Sequence, residues 1–417
     1  MRIREIRAAS VTNVMPLGRS GEKPSFFSGD NENLNPMSRY LEFMGRGPHL
    51  APPWSEVICI ATAEDGTWGM GMTSHAGPVV PIINDYLGPL LVGEDAFATE
   101  RMWNLMVRCS GAYLGASGLA SYAISAVDLA LWDLKGKVLE RPVYELLGGP
   151  ARERVHCYAT GTDVRNLLDI GFDSIKIPCP RGAAKGTKAL RETEAFIAEA
   201  RKQIGDDGNL MMDMWSVQDA QHTIELGSIL RPYQLKWLED YVYPDDWSGY
   251  EEVRQRLPEQ TLAAGERWDT ERPYQDAAQR CLVDILQPDV LWVGGVTASI
   301  KIAAIAESSG REIAMHAGCN DPYGQHLCYA LPGNRWGEMF VGTSSGENLM
   351  NTYRATSGMA LPVNGYLVPS DAPGFGIEIT LDGIEAARVD EGLVALLARC
   401  HCSLALASRS IRIVTTV

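Results

Sequence analysis

Short apolar runs alternate with longer, helix-like stretches through the middle of the chain. The stretches between the runs include residues 193–205 and 298–310. The runs are VHCYATG, SIKIP, NLMMD, LKWLE, TLAAGE, VDILQPD, EIAMH and GEMFVG, which start at residues 155, 174, 209, 235, 261, 283, 312 and 337. Apolar and polar residues do not alternate strictly within these runs, as expected for strands buried on both faces of a sheet. Strands separated by helices predict an α/β fold with a (β/α) TIM-type barrel. The alternative is a doubly wound open sheet, which more often shows a glycine-rich phosphate turn after its first strand.

The chain before residue 150 has a different pattern. Residues 57–74 contain two β-rich runs around Glu64-Asp65-Gly66 and predict a hairpin. Residues 121–139 repeat apolar residues at helical spacing. Residues 20–48 are rich in glycine, proline, asparagine and serine, which is typical of a mobile or closing segment. The predicted organisation is a first domain over residues 1–150, a barrel over 151–345 and a segment over 346–417 that returns to the first domain.

Composition narrows the range of partners. The chain of 417 residues has a formal net charge of -15, which argues against nucleic acid or an anionic membrane as the main partner. Neither a signal-peptide core nor a long apolar run is evident, so we expect a cytoplasmic protein. The 9 cysteines are scattered, which favours reduced thiols. We expect Cys59, Cys157, Cys179 and Cys281 to be small core residues. The Cys-His-Cys triplet at 400–402 lacks further ligands at usable spacing for a metal site.

Three of the apolar runs end on a carboxylate: Asp213, Glu239 and Glu266. Their spacing is about one βα unit each, so in a barrel they converge at the face where active sites lie. Oxygen ligands of this kind suit a hard cation such as Mg²⁺. Taken singly, each carboxylate could equally be a helix N-cap or a member of a surface ion pair.

Two further strand ends carry groups suited to proton transfer. Asp289 follows one run and His316 ends the next, so an Asp–His pair on neighbouring strands is predicted to act as a general base. Lys176, on the second predicted strand, is either a surface residue or a cation that faces an anionic substrate, and Glu338 adds a carboxyl group on the last strand. A metal with such a base suits removal of the weakly acidic proton next to a carboxylate.

The sequence resembles the enolase superfamily, mandelate-racemase-like subgroup. The resemblance lies in SAVDLALWDLKGKVLERPVYELLGG (125–149), GFDSIKIP (171–178), WLE (237–239), DILQPDVLWVGGVT (284–297) and MHAG (315–318). It implies an α+β capping domain over a modified (β/α)7β barrel. By position, it makes Asp213, Glu239 and Glu266 the Mg²⁺ ligands, Asp289 and His316 the catalytic dyad, and Glu338 a hydrogen-bond partner of the substrate carboxylate.

Within this subgroup the closest resemblance is to L-rhamnonate dehydratases, through pieces such as NPMSRY (35–40), YATG (158–161) and PGFGIEI (373–379). Many members of the superfamily carry a second lysine on the second barrel strand, where this chain has Pro178, so two-base racemisation is not expected. Many also have Asn where this chain has Trp215, which we assign to substrate binding. The rhamnonate enzymes place a His and an Arg in the loop over 20–48. Arg46 is the candidate for the Arg, and FFSGDNENLNP contains no His.

The resemblance implies a Mg²⁺-dependent acid-sugar dehydratase that yields a 2-keto-3-deoxy sugar acid, and a homo-oligomer. Dehydration of another acid sugar such as L-lyxonate, and epimerase or cycloisomerase activity, are the alternatives. A metal-dependent hydrolase more often has a His-x-His pair at a strand end, which this chain lacks. A binding protein with an inactive site would have lost a ligand or the dyad.

Overall fold

The computed structural model describes residues 1–12, 37, 40, 52, 54–216, 218–342, 350 and 356–389. Near the N-terminus, an antiparallel sheet has the strand order β1-β2-β3. Its strands are β1 (Ile3–Val11), β2 (Glu56–Ala63) and β3 (Trp68–Thr73). Strands β2 and β3 are the hairpin predicted from residues 57–74.

One long helix packs on this sheet at very short range, because two glycines leave room for its backbone. A Cβ atom at Gly71 would lie 2.0 Å from the carbonyl oxygen of Ala126, and one at Gly69 would lie 2.2 Å from the amide nitrogen of Leu134. The helix, α4, is buried along most of its length, as its apolar spacing predicts. The helices of this region are α1 (Ala76–Pro81), a π-helical turn (Ile82–Leu87), α2 (Gly88–Leu91), α3 (Thr99–Tyr113), α4 (Leu119–Leu139) and α5 (Val143–Leu146).

The second sheet contains eight parallel strands in the order β10-β9-β8-β7-β6-β5-β4-β11. They are β4 (Val155–Gly161), β5 (Ser174–Pro178), β6 (Asn209–Asp213), β7 (Leu238–Glu239), β8 (Leu262–Ala264), β9 (Ile285–Leu286), β10 (Glu312–Ile313) and β11 (Trp336–Gly342). A parallel bridge between Ile313 and Asn334 joins the two ends of this order. With the antiparallel sheet above it, this curled sheet confirms the predicted fold class.

Helices connect these strands in sequence. They are α6 (Val164–Asp169), a 3₁₀ turn (Ala183–Lys185), α7 (Thr187–Ile204), α8 (Ala220–Leu230), a 3₁₀ turn (Arg231–Tyr233), α9 (Trp247–Arg256), α10 (Arg272–Gln279), α11 (Gly295–Ser308) and α12 (Pro322–Ala330).

The interior of the barrel has an apolar layer below a charged layer. The apolar layer is a cluster of Tyr158, Met211, Trp237, Ala263, Ile285, Ala314 and Trp336. Met211, Trp237, Ala314 and Trp336 each stand two positions before a charged residue, and side chains repeat every second residue along a strand. The residue pattern therefore aims Asp213, Glu239, His316 and Glu338 into the barrel directly above a packed floor.

After the barrel, the described chain returns to the N-terminal region. Strand β12 (Tyr366–Leu367) pairs with β4, and helix α13 spans Leu381–Ala386. The amide of Phe375 donates to Asp133 of α4 at 3.0 Å, and that of Val389 donates to the carbonyl of Ser10 at 3.0 Å.

The cysteine expectations are mostly confirmed. The seven cysteines among the described residues are all free, and Cys59, Cys157 and Cys179 are buried. The prediction for Cys281 is wrong, because this residue is exposed. It lies in the turn after α10 with a φ of 56°, outside the apolar run that follows it. The triplet at 400–402 lies outside the described residues. Among the helices in the described ranges, none is both long and apolar enough to cross a membrane.

Candidate active site

Three carboxylates meet at the carboxyl ends of β6, β7 and β8. Asp213 is the last residue of β6 and lies directly opposite Glu239, the last residue of β7. Glu266 follows β8 by two residues and is buried, as is Glu239. The structure therefore brings together the three residues that the sequence nominated as metal ligands.

A buried lysine stands among these acids. The side chain of Lys176 is 1% exposed, and its Nζ lies 2.8 Å from Glu338 Oε1 and 3.6 Å from Asp213 Oδ2, with Glu239 as its third partner. Burial lowers the pKa of Lys176, but Glu239 and Glu338 outweigh burial and hold the pKa well above its ordinary value. This side chain is a fixed positive charge within the charged layer.

His316 forms the predicted pair with Asp289. Its Nδ1 lies 2.8 Å from Asp289 Oδ2, and its Nε2 lies 2.8 Å from Glu266 Oε2. Burial lowers the pKa of His316, but Glu266 and Asp289 outweigh burial and raise it well above its ordinary value. The backbone amide of Leu291 donates to Asp289 Oδ1 at 2.8 Å, which orients the aspartate. With Nδ1 held by Asp289, Nε2 is the nitrogen that faces the other site residues.

Glu338 lies on the last strand and is held by several donors. It accepts hydrogen bonds from the amide of Ala317 at 2.8 Å and from the Thr160 hydroxyl, and it pairs with Lys176. Burial raises the pKa of Glu338, but Lys176 and then His316 reverse this effect and lower the pKa to about 2. The carboxylate is therefore ionised, with its position set from two sides.

The electrostatics of the carboxylates indicate that this site suits a further cation. Burial raises the pKa of Asp213 to about 7, and Glu239 and Glu266 add to the rise while Lys176 opposes it. The neighbouring Asp240 is also buried, and its Oδ2 has no hydrogen-bond partner. Buried negative charge without enough positive partners is costly. The chemistry of these donors fits a hard cation with oxygen ligands.

The side-chain positions themselves are those of an ion-paired site. Within the described ranges, no group of three or more His, Cys, Asp or Glu side chains is arranged so that it could hold a metal ion. The oxygens of Asp213, Glu239 and Glu266 point to Lys176, His316 and Arg267.

The sequence reasoning missed Arg267, which directly follows Glu266. Its Nε lies 2.8 Å from Glu266 Oε1, and its guanidinium carbon lies 4.5 Å from the ring centre of Trp292. Trp292 in turn packs against His316, with ring centres 5.2 Å apart. Position next to a predicted ligand was the only available signal, since a residue after a strand can face either the site or solvent.

Two residues were predicted to bind substrate besides Lys176. Trp215 lies beside the site, and its amide donates to Asp213 Oδ1 at 2.8 Å with a left-handed φ of 44°. Arg46 lies outside the described residues, as does the loop over 20–48 apart from residues 37 and 40.

Sequence comparison finds two matching family profiles. Residues 54–148 match the mandelate racemase/muconate lactonizing enzyme N-terminal domain, and residues 159–383 match the enolase C-terminal domain-like family. An L-rhamnonate dehydratase of Saccharopolyspora erythraea is 32% identical over 382 residues, which span 91% of this chain and 97% of that protein.

Solved structures share the fold. A rhamnonate dehydratase from Gibberella zeae complexed with Mg superposes with a TM-score of 0.85 at 26% identity, covering 94% of this chain and 97% of that one. A 3,6-anhydro-D-galactonate cycloisomerase from Zobellia galactanivorans has a TM-score of 0.74 at 26% identity, covering 94% of this chain and 100% of that one.

Proposed function

The chain belongs to the mandelate racemase/muconate lactonizing enzyme family of the enolase superfamily, and from that premise we propose that it is a Mg²⁺-dependent acid-sugar dehydratase of the L-rhamnonate type. Asp213, Glu239 and Glu266 would hold the metal. When bound, Mg²⁺ supplies positive charge that stabilises the negative charge developing on the substrate carboxylate.

The observation that carries the proposal is a single base beside a cluster of carboxylates. Asp289 orients His316 through Nδ1, so His316 Nε2 is the atom that would take the proton from C2 of the acid sugar, once Glu266 held the metal in place of its pairing with the imidazole and left the imidazole neutral. The opposite strand has Lys176-Ile177-Pro178, and therefore no second lysine for a base on the other side. Lys176 and Glu338 are assigned to the substrate carboxylate end.

The proposed reaction uses that one base twice. His316 removes the C2 proton, the C2–C3 double bond forms, and the C3–O bond breaks as His316 returns the proton to the leaving hydroxyl. Water leaves, and the enol becomes the 2-keto-3-deoxy acid. The same imidazole takes the C2 proton and protonates the leaving C3 hydroxyl, so both groups leave from one face of the substrate. The elimination is therefore expected to be syn.

The test is a screen of the purified protein with Mg²⁺ against mono-acid sugars that include L-rhamnonate and L-lyxonate. Mass spectrometry of the products should show loss of one water and formation of a 2-keto-3-deoxy acid. Treatment with a chelator should abolish this activity, and added Mg²⁺ should restore it. A product of unchanged mass would favour the epimerase or cycloisomerase alternative, and inactivity towards every acid sugar with Mg²⁺ bound would refute the proposal.

A further inference from the structure

A pocket of about 380 Å³ opens beside the candidate metal ligands. Its lining consists of Trp215, Ser216, Tyr243, Pro244, Asp245 and Arg267, and we refer to it as the tail pocket. Each lining segment follows a candidate ligand along the chain, since residues 215–216 come after Asp213, residues 243–245 after Glu239 and Arg267 after Glu266. The tail pocket therefore lies at the same barrel face as the charged layer, and its volume is within the usual range for small-molecule sites.

Arg267 links the tail pocket to the charged layer. Its Nε pairs with Glu266 Oε1, while its side chain remains 39% exposed. A guanidinium has five N–H donors, and the ion pair with Glu266 is made through Nε, so the terminal nitrogens carry further donors for a ligand. Packing against Trp292 holds the planar group in place, so the remaining donors are presented at a fixed angle.

The rest of the lining combines an acceptor with aromatic surface. Asp245 supplies a carboxylate, and Trp215 and Tyr243 supply ring faces, with Tyr243 55% exposed. Carboxylates and guanidinium groups are complementary acceptors and donors for hydroxyl groups. Aromatic rings pack against the apolar C–H faces that a sugar chain also presents.

The charge of the lining selects between two classes of ligand. Arg267 is the one cation of the lining, and it is already paired with Glu266, while Asp245 adds a negative charge. A second carboxylate on the ligand would be repelled by the excess negative charge of the lining. Neutral hydroxyl groups can instead accept hydrogen bonds from Arg267 and donate them to Asp245. The lining therefore favours a neutral polyhydroxylated chain over a di-acid.

We propose that the tail pocket is a second subsite, which binds the hydroxylated tail of an acid sugar whose carboxylate end lies at Lys176 and the candidate metal ligands. This inference rests on the proposed function and adds that chain length is read by Tyr243, Asp245 and Arg267. Arg267 also contacts Glu266, so Tyr243 and Asp245 offer the cleaner tests.

The experiment compares Tyr243→Ala and Asp245→Asn with the wild type on two ligands. One is the best six-carbon acid sugar of the screen, or L-rhamnonate if none turns over, and the other is the four-carbon acid L-threonate. Dissociation constants are measured by calorimetry with Mg²⁺ in a His316→Asn background, so that binding is read without turnover. Matched controls are Tyr113→Ala, an 82% exposed tyrosine on α3, and Asp206→Asn, an exposed aspartate after α7.

Each pocket variant should weaken six-carbon binding by about tenfold, which corresponds to about 1.4 kcal/mol, and change four-carbon binding by less than about twofold. The controls should change neither. Equal weakening of binding for the four-carbon and six-carbon acids, or no weakening for either, would overturn the assignment of the tail pocket as a subsite.

The outcomes also separate this inference from the proposed function. Turnover by the wild type without a chain-length effect on binding would support the proposed dehydratase activity and refute the subsite. A chain-length effect on binding without any wild-type turnover would keep the subsite and remove the dehydratase. If the His316→Asn protein with an unaltered tail pocket binds neither acid and the wild type turns over none, both proposals are overturned.

Discussion

At the scale of single residues, His316 is the group on which the proposed reaction depends. Replacing His316 with Asn removes the base while leaving a polar side chain near Asp289. Because a positioned general base contributes about 10²–10⁴-fold in rate, turnover of the best acid sugar should fall by at least that factor. Mg²⁺ binding, measured by calorimetry, should be retained, since Asp213, Glu239 and Glu266 are unchanged and Glu266 loses only its pairing with the imidazole. Activity close to that of the wild type would remove His316 from its assigned role.

The positions of the charged residues could be predicted from sequence, but their partners could not. Strand periodicity and barrel topology decide where the side chains at the ends of the runs point. Runs that end on Asp213, Glu239 and His316 therefore predict that one face of the barrel is charged. The contact of Lys176 with Glu338 depends on how β5 and β11 are placed around the closed barrel, which no local pattern encodes. Arg267 was missed because a residue after a strand can face either the site or solvent.

At the scale of elements, the capping helix α4 holds the segment that carries Asp289. Ser121 Oγ donates to the carbonyl of Trp292 at 2.6 Å, and the amide of Gly294 donates to Ser125 Oγ at 2.8 Å. Asp128 accepts hydrogen bonds from Thr297 N at 2.9 Å and Thr297 Oγ1 at 2.7 Å, which caps the first turn of α11. Helix α4 of the N-terminal region, which we call the cap, thus positions the Asp289–His316 pair from outside the barrel.

Asp128→Ala tests this positioning role. It removes a buried acceptor of two hydrogen bonds, so the free energy of unfolding should fall by about 3 kcal/mol, measured by urea denaturation. The segment after Asp289 should also lose its register, so kcat should fall by roughly tenfold with KM nearly constant.

Asp128→Asn keeps one acceptor oxygen and should recover part of both losses. Asp206→Ala, at an exposed site, serves as the control and should change neither. A stability loss without any fall in kcat would show that Asp128 supports the fold alone.

The long elements were predicted more accurately than the short ones. The helical spacing over 121–139 matches α4 to within two residues at its start. The runs predicted for β7, β9 and β10 are longer than the strands, which contain two residues each. Glu239 is still paired as the last residue of β7, whereas Asp289 and His316 lie beyond the ends of β9 and β10, and a pattern of apolar residues does not mark where strand pairing ends.

At the scale of the whole molecule, the change of sequence pattern near residue 150 predicted two parts, but it did not predict the contacts between the N-terminal region and the barrel, which we call the joint. The contacts of the joint connect residues far apart in sequence, such as Asp128 with Thr297, 169 positions later. Such pairs leave no periodic signal. Buried polar residues on α4, including Asp128 and Asp133, were the available hint that this helix bonds to more than its own sheet.

His326 lies at this joint and makes the stability of the molecule depend on pH. It belongs to α12 of the barrel, accepts a hydrogen bond from the amide of Tyr144 in the cap at 3.2 Å, and packs against Phe375 of the returning segment. Burial lowers the pKa of His326 to about 3. Its imidazole is therefore neutral in the folded protein at neutral pH.

The unfolded chain binds a proton at His326 near pH 6.5, and the folded protein does not until about pH 3, so this contribution to stability is complete above pH 6.5 and is lost as the pH falls. The loss of stability should be about 1.4 kcal/mol per pH unit across that window.

Urea denaturation of the wild type and His326→Gln at pH 7.5, 6.5 and 5.5 measures this loss. The variant should be less stable at pH 7.5, because a neutral imidazole packs well there, yet its stability should fall less steeply with acid. Tyr113→Phe, at an exposed tyrosine on α3, is the control and should keep the wild-type slope. Parallel slopes for the wild type and His326→Gln would mean that the joint admits a protonated imidazole.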